Sequence, residues 1–73
     1  MGDVIDLEIR DDMIRLGQAL KLAGVVEDGA QAREAIEAGD VEVNGIVETR
    51  RGRQLHVHDV IRIGDEQLRI ARS

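Results

Sequence analysis

Apolar positions along the chain fall into two spacings. Ile5, Leu7 and Ile9 alternate with charged residues, which predicts an N-terminal strand over residues 3–10 with one buried face. Met13, Leu16, Leu20 and Ala23 then recur at three- and four-residue steps, the apolar stripe of a helix over residues 13–22. Asp11-Asp12 stands directly before that stripe, where a carboxylate accepts the orphan N–H groups of a first turn, and is read as the helix cap. Gly17 lies inside the stripe. Glycine there costs up to ~1 kcal/mol relative to alanine, so its presence predicts a close approach by another backbone or a ligand. Gly24 ends the helix, and Val25 and Val26 cross to the next element as apolar anchors. A second helix is predicted over residues 30–38, capped by Asp28. Ala32, Ala35 and Ile36 face the core, small enough for close helix packing, and Arg33 lies on the solvent side beside Glu37.

Ala38-Gly39 reads as the end of that helix, because glycine takes the left-handed terminal conformation without a Cβ clash. Val41 and Val43 alternate with acids, and Asn44-Gly45 supplies the two residues that tolerate positive φ in a tight hairpin. The strand resumes at Ile46-Val47 and is expected to run toward Arg50-Arg51-Gly52-Arg53. Further short strands follow at residues 54–57, 60–63 and 68–70, separated by turns at His58-Asp59 and Gly64-Asp65-Glu66. The expected order is a strand, two helices, then four or five short strands: one α+β domain without linker or repeat.

At 73 residues the chain buries only a modest fraction of its surface, and it contains no cysteine and no aromatic residue. Disulfides, thiolate metal sites and base stacking on aromatic rings are therefore excluded, and the core must be built from Val, Ile, Leu, Ala and Met. No apolar run is long enough to cross a bilayer, and the N-terminus lacks the basic start of a secretion signal, so a cytosolic protein without cofactor is expected. The net charge of -5 argues against a simple nucleic-acid binder. Its distribution is uneven. Residues 1–48 hold twelve acids and four bases, a net -8, whereas residues 49–73 hold three acids and six bases, a net +3. Nine of the ten cations are arginine, whose planar fork suits phosphate better than lysine does.

Several segments in this order carry a resemblance: residues 14–24 (IRLGQALKLAG), residues 30–36 (AQAREAI), residues 39–45 (GDVEVNG) and Asp59-Val60-Ile61. Together they resemble the S4-type RNA-binding domain, with the αL motif, and in particular the short stand-alone bacterial S4-like proteins of the YbcJ type. Leu-Lys-Leu-Ala-Gly, Val-Glu-Thr-Arg and Gly-Ala-Gln-Ala support that closer match, over nearly the whole chain. The resemblance implies two antiparallel helices packed on a small, bent antiparallel sheet of four to five short strands. It implies RNA held by a helical face and the adjoining turn and loop. Carried over by position, that surface comprises Lys21, Arg33, Asn44, Gly45, Arg50, Arg51 and Arg53, with Gln18 and Gln31 as added hydrogen-bonding groups. The cations would meet phosphates, and the helix start at Gly29 and Ala30 would offer backbone N–H groups to one phosphate. Many S4 domains carry Ser-Arg at the start of the second helix. Asp28-Gly29 stands there in this chain, which the YbcJ-like subset resembles more, with Gly in place of the Arg, and the acidic first half is also unusual for the broader family.

Three function classes follow. The first is a non-catalytic module for structured RNA, ribosomal RNA or tRNA in kind, read through phosphates and 2′-hydroxyls that need no aromatic partner. The second is a ribosome-associated adaptor that docks a basic protein on its acidic surface. The third, an enzyme, finds no nucleophile–base spacing and no phosphate-cradling glycine loop. His56 and His58 would share one face of a strand, but two imidazoles are too few for a closed zinc site. A monomer is expected, with Val60-Ile61 or Leu68-Arg69-Ile70 as apolar edges on which a second copy would pair.

Overall fold

A computed structural model describes residues 4–73. Its elements follow in the order β1 (Val4–Ile9), β2 (Ile14–Arg15), α1 (Leu16–Leu22), α2 (Gly29–Glu37), β3 (Val41–Val43), β4 (Ile46–Val47), β5 (Gln54–Leu55), β6 (Val60–Ile63) and β7 (Glu66–Arg72). Five strands form one sheet in the order β1-β7-β6-β3-β4, and β2 pairs with β5 in a separate ribbon. The two helices pack on each other and on this framework. Asp3, the expected start of the first strand, lies outside the described residues.

The second helix and the hairpin form as the sequence predicts. Asp28 Oδ1 accepts the Gln31 N–H at 2.8 Å and caps α2. Gly39 closes its far end at φ 82°. Asn44 and Gly45 both adopt positive φ, 53° and 85°, which joins Val43 to Ile46 in the tight turn that matches strand twist.

Elsewhere the structure corrects the expectations. The sheet is mixed: β1 runs parallel to β7, from Val4↔Gln67 to Ile9↔Arg72, while β7-β6, β6-β3 and β3-β4 are antiparallel. Alternation announces a strand but not its direction, and parallel partners need a long crossover, supplied here by everything between them. The first helix starts at Leu16 rather than residue 13. Arg15 is extended (φ -84°, ψ 149°), and Ile14-Arg15 pairs with Leu55 and Gln54. Asp12 does not cap it; its Oδ1 accepts from Arg72 Nη1 at 2.7 Å. The strand after the hairpin stops at Val47, and residues 48–53 form an irregular loop. Val57 and His58 form a turn, with His58 at φ 82°, so the two histidines do not share a strand face. Val60-Ile61 and Leu68–Ile70 lie on central strands. The sheet edges are β1 and β4.

The core joins both layers. Leu16 and Leu20 of α1 and Ile36 of α2 are fully buried with Val41, Val43, Leu55, Ile61, Leu68 and Ile70 of the strands. Ala19 and Ala32 are equally buried, the small residues that let the helices approach. Leu7 and Ile9 of β1 are buried, while Ile5 is left exposed at the strand's outer end. Among the described residues no helix is long and apolar enough to cross a membrane.

Candidate nucleic-acid interface

The loop over residues 48–53 connects β4 to β5 and lies against the start of α1. The first N–H groups of any helix lack an intrahelical acceptor. In α1 the loop supplies acceptors: Leu16 N–H donates to Arg53 O at 2.9 Å, and Gly17 N–H donates to Arg51 O at 3.1 Å. Arg15 Nη1 donates to Gly52 O at 3.2 Å, and Arg53 N–H closes the turn onto Arg50 O at 3.2 Å. Gly17 makes the approach possible. A Cβ built on it would stand 2.8 Å from Arg51 Cγ.

This packing opens a groove of about 380 Å³ between α1, the start of α2 and the loop. Arg15, Gln18 and Lys21 form one wall, Gly29 and Ala32 another, and Arg51 with Gly52 the third. Arg15, Lys21 and Arg51 are exposed, and none joins an ion pair among the described residues. Among the described residues no carboxylate lines the groove. Asp28, next to Gly29, is occupied as the cap of α2, while the first-turn N–H groups of Gly29 and Ala30 have no intrahelical acceptor. The arrangement sets three positively charged side chains and the start of α2 around one groove.

The other two loop arginines turn to a different partner. Glu48 is only 7% exposed and is held at the end of β4 by its N–H bond to Val41 O at 2.9 Å. Its Oε2 accepts from the Arg50 backbone N–H and from Arg50 Nε, both at 3.1 Å. Its Oε1 accepts from Arg50 Nη2 at 3.2 Å and from Arg53 Nη1 at 2.8 Å. The side-chain bond from Arg50, then that from Arg53, lowers the Glu48 pKa to about 2, against the opposing effect of burial. The same bond raises the Arg50 pKa.

The remaining residues named from the sequence fall in separate places. Lys21 and Arg51 meet in the groove with Gln18, whose Oε1 lies 3.5 Å from the Arg15 N–H nitrogen. Arg33 is exposed on α2 and is not part of the groove wall. Gln31 is spent locally: its Oε1 accepts the Glu27 N–H in front of the helix. Asn44 and Gly45 line another hollow with Glu42, Val60, Arg62 and Gln67. Both ends of the Asn44 amide are engaged there. Its Oδ1 accepts the Val60 N–H at 2.9 Å, and its Nδ2 donates to Asp59 Oδ1 at 3.0 Å. Partial burial pushes the Asp59 carboxyl up, but the His56 N–H and the Asn44 amide outweigh it and hold the pKa below the usual value. Among the described residues no group of three or more His, Cys, Asp or Glu is arranged to hold a metal.

Sequence reasoning missed Arg15 and Glu48. Arg15 was hidden inside an expected helix that begins one residue later. Glu48 had a legible signal, a carboxylate two residues before Arg50 and five before Arg53, but the end of the strand that turns these groups together was not.

Comparison with known proteins bears on the same span. Over 57 residues the chain is 44% identical to a Bacillus subtilis protein named "Probable ribosome maturation protein RlbA", covering 78% of this chain and 80% of that one. Over 38 residues it is 53% identical to the Escherichia coli "Putative RNA-binding protein YbcJ", about half of each chain. The solution structure of Escherichia coli YbcJ, described as revealing an αL motif involved in RNA binding, superposes with a TM-score of 0.67 at 31% identity. That match covers 93% of this chain and 85% of that one. The family model described as the S4 domain matches residues 7–71, from the first strand to the last, and the chain therefore belongs to the S4 domain family.

Proposed function

We propose that this chain is a non-catalytic RNA-binding protein that takes up structured RNA, ribosomal RNA or tRNA in kind, through its phosphates. The observation that carries the reading is the groove in which Arg15, Lys21 and Arg51 converge without a carboxylate among the lining residues. Phosphate contacts dominate such affinity, and the first turn of α2 adds backbone donors. In this reading Arg33, exposed on α2 outside the groove wall, would be a secondary contact, while Arg50 and Arg53 are paired with Glu48. Asn44 and Gly45 would touch RNA only beyond the groove. The names of the RlbA and YbcJ relatives support a ribosomal setting and RNA as the ligand. The protein would act as a cytosolic monomer. Its net charge of -5 makes the attraction local, so recognition depends on bringing phosphates into the groove.

Titration against a folded ribosomal RNA fragment between about 50 and 200 mM salt tests this reading. Three phosphate contacts predict a slope of log K against log salt of about -2 to -3. Lys21→Ala and Arg51→Ala should each flatten that slope by about 1 and weaken binding across RNA sequences. No binding at the lowest salt, or the same slope in both variants, would overturn the proposal.

A second reading is favoured by the net -8 of residues 1–48 and by the exposed Ile46 and Val47 at the β4 edge. In it the protein is an adaptor that docks a basic protein at the ribosome. Partners that persist in a pull-down after nuclease treatment would favour it over RNA binding.

A further inference from the structure

Glu48 is saturated. A carboxylate offers about four acceptor positions, and all are filled by Arg50 N–H, Arg50 Nε, Arg50 Nη2 and Arg53 Nη1. The Nε–Nη2 edge of Arg50 is the fork with which arginine grips a phosphate, and Glu48 already occupies it. The carboxylate is itself anchored by the end of β4 and is almost inaccessible. A phosphate that seeks the Nε–Nη2 fork of Arg50 must displace a fixed anion, and the Glu48 charge offsets the charges of both Arg50 and Arg53 although the Arg50 side chain is 74% exposed; Arg51 has no such partner among the described residues.

We infer that Glu48 is a specificity-determining positioning residue. It withdraws Arg50 and Arg53 from polyanions and leaves Arg51 as the loop guanidinium available to RNA. A loop with three free arginines in four positions would grip any phosphate chain. With one free arginine, binding needs Arg15 and Lys21 as well, and so needs an RNA whose shape delivers phosphates into the groove. The inference rests on the RNA-binding reading above for its consequence, but not for the state of the loop.

The test is Glu48→Gln, which keeps the volume and one acceptor but removes the charge. Glu8→Gln, the same change of net charge on exposed β1, serves as reference. Binding to a folded ribosomal RNA fragment and to unstructured poly(U) is measured at 50 and 200 mM salt, with elution from heparin measured alongside. Freed arginines should raise the ratio of poly(U) affinity at 50 mM to that at 200 mM by about threefold each, and narrow the preference for the folded RNA. Weaker binding to both RNAs with an unchanged or shallower salt dependence would overturn the inference, because that is the signature of a mere loop brace. If Glu48→Gln fails to fold, single Arg50→Gln and Arg53→Gln substitutions decide. They should leave the salt slope within error of the native value, and a drop of about 1, as expected for Arg51→Gln, would overturn it. If the native chain binds neither RNA, the proposed function fails and heparin still decides this point. Later elution of Glu48→Gln than of Glu8→Gln upholds it, and equal elution refutes it.

Discussion

Glu48 enters the fold with four donors around one carboxylate, and that sets its titration. Its folded pKa of about 2 lies below the ordinary value of 4.5, so it contributes stability above about pH 4.5 and loses it as pH falls toward 2. Asp59, also lowered, acts in the same direction, so native melts alone would not isolate Glu48. The difference between native and Glu48→Gln melting temperatures should be largest near neutral pH, shrink below pH 4.5 and close near pH 2. A difference that stays constant over that range would show that the paired charge contributes nothing. Asn44 makes the contrasting case. Its residue type is demanded twice, by positive φ in the turn and by the bonds to Val60 and Asp59. Its amide is occupied at both ends, which leaves a turn role sufficient to explain it.

Among the elements, α1 depends most on something outside itself. Its seven residues have no side-chain cap, and the loop carbonyls of Arg51 and Arg53 take that role. Gly17→Val would drive a branched side chain into Arg51 Cγ and part the Gly17 N–H from Arg51 O. Overpacking of this kind costs about 1–3 kcal/mol, or a drop of roughly 4–8 °C per kcal/mol for a domain this size. Thermal melts and limited proteolysis should register a destabilised protein cut first within residues 48–53. Unchanged melting and an uncut loop would mean that the cap is dispensable. The same elements show what a sequence discloses. The second helix, its Asp28 cap and the Asn44-Gly45 hairpin were legible because each is written in adjacent residues. Gly17, by its place in the apolar stripe, announced a close approach by another backbone or a ligand but not its partner, which is Arg51. The start of α1 was not legible, because its caps come from more than thirty residues downstream. For the site, Lys21 and Arg51 could be named from residue type and family position. The division of the loop arginines depended on which way each side chain turns, and Arg15 depended on where the helix begins.

For the molecule as a whole, two sheet edges remain open, β1 and β4. Ile46 on β4 is 73% exposed, the kind of apolar edge that invites a second chain. Ile46→Lys should shift stability by less than about 0.5 kcal/mol, as for most surface changes, and abolish concentration-dependent association through that edge in sedimentation experiments. Association that survives the charge would point to β1 instead. The parallel pairing of β1 with β7 has a temporal consequence. Asp6 and Arg69 touch although 63 residues separate them. Closing so wide a span carries a large entropic cost before any contact compensates it, which slows such steps. The first strand can dock only once the last is available. The helices, hairpin and arginine loop are joined by contacts of shorter sequence separation, so refolding should build the cationic groove before β1 docks on β7.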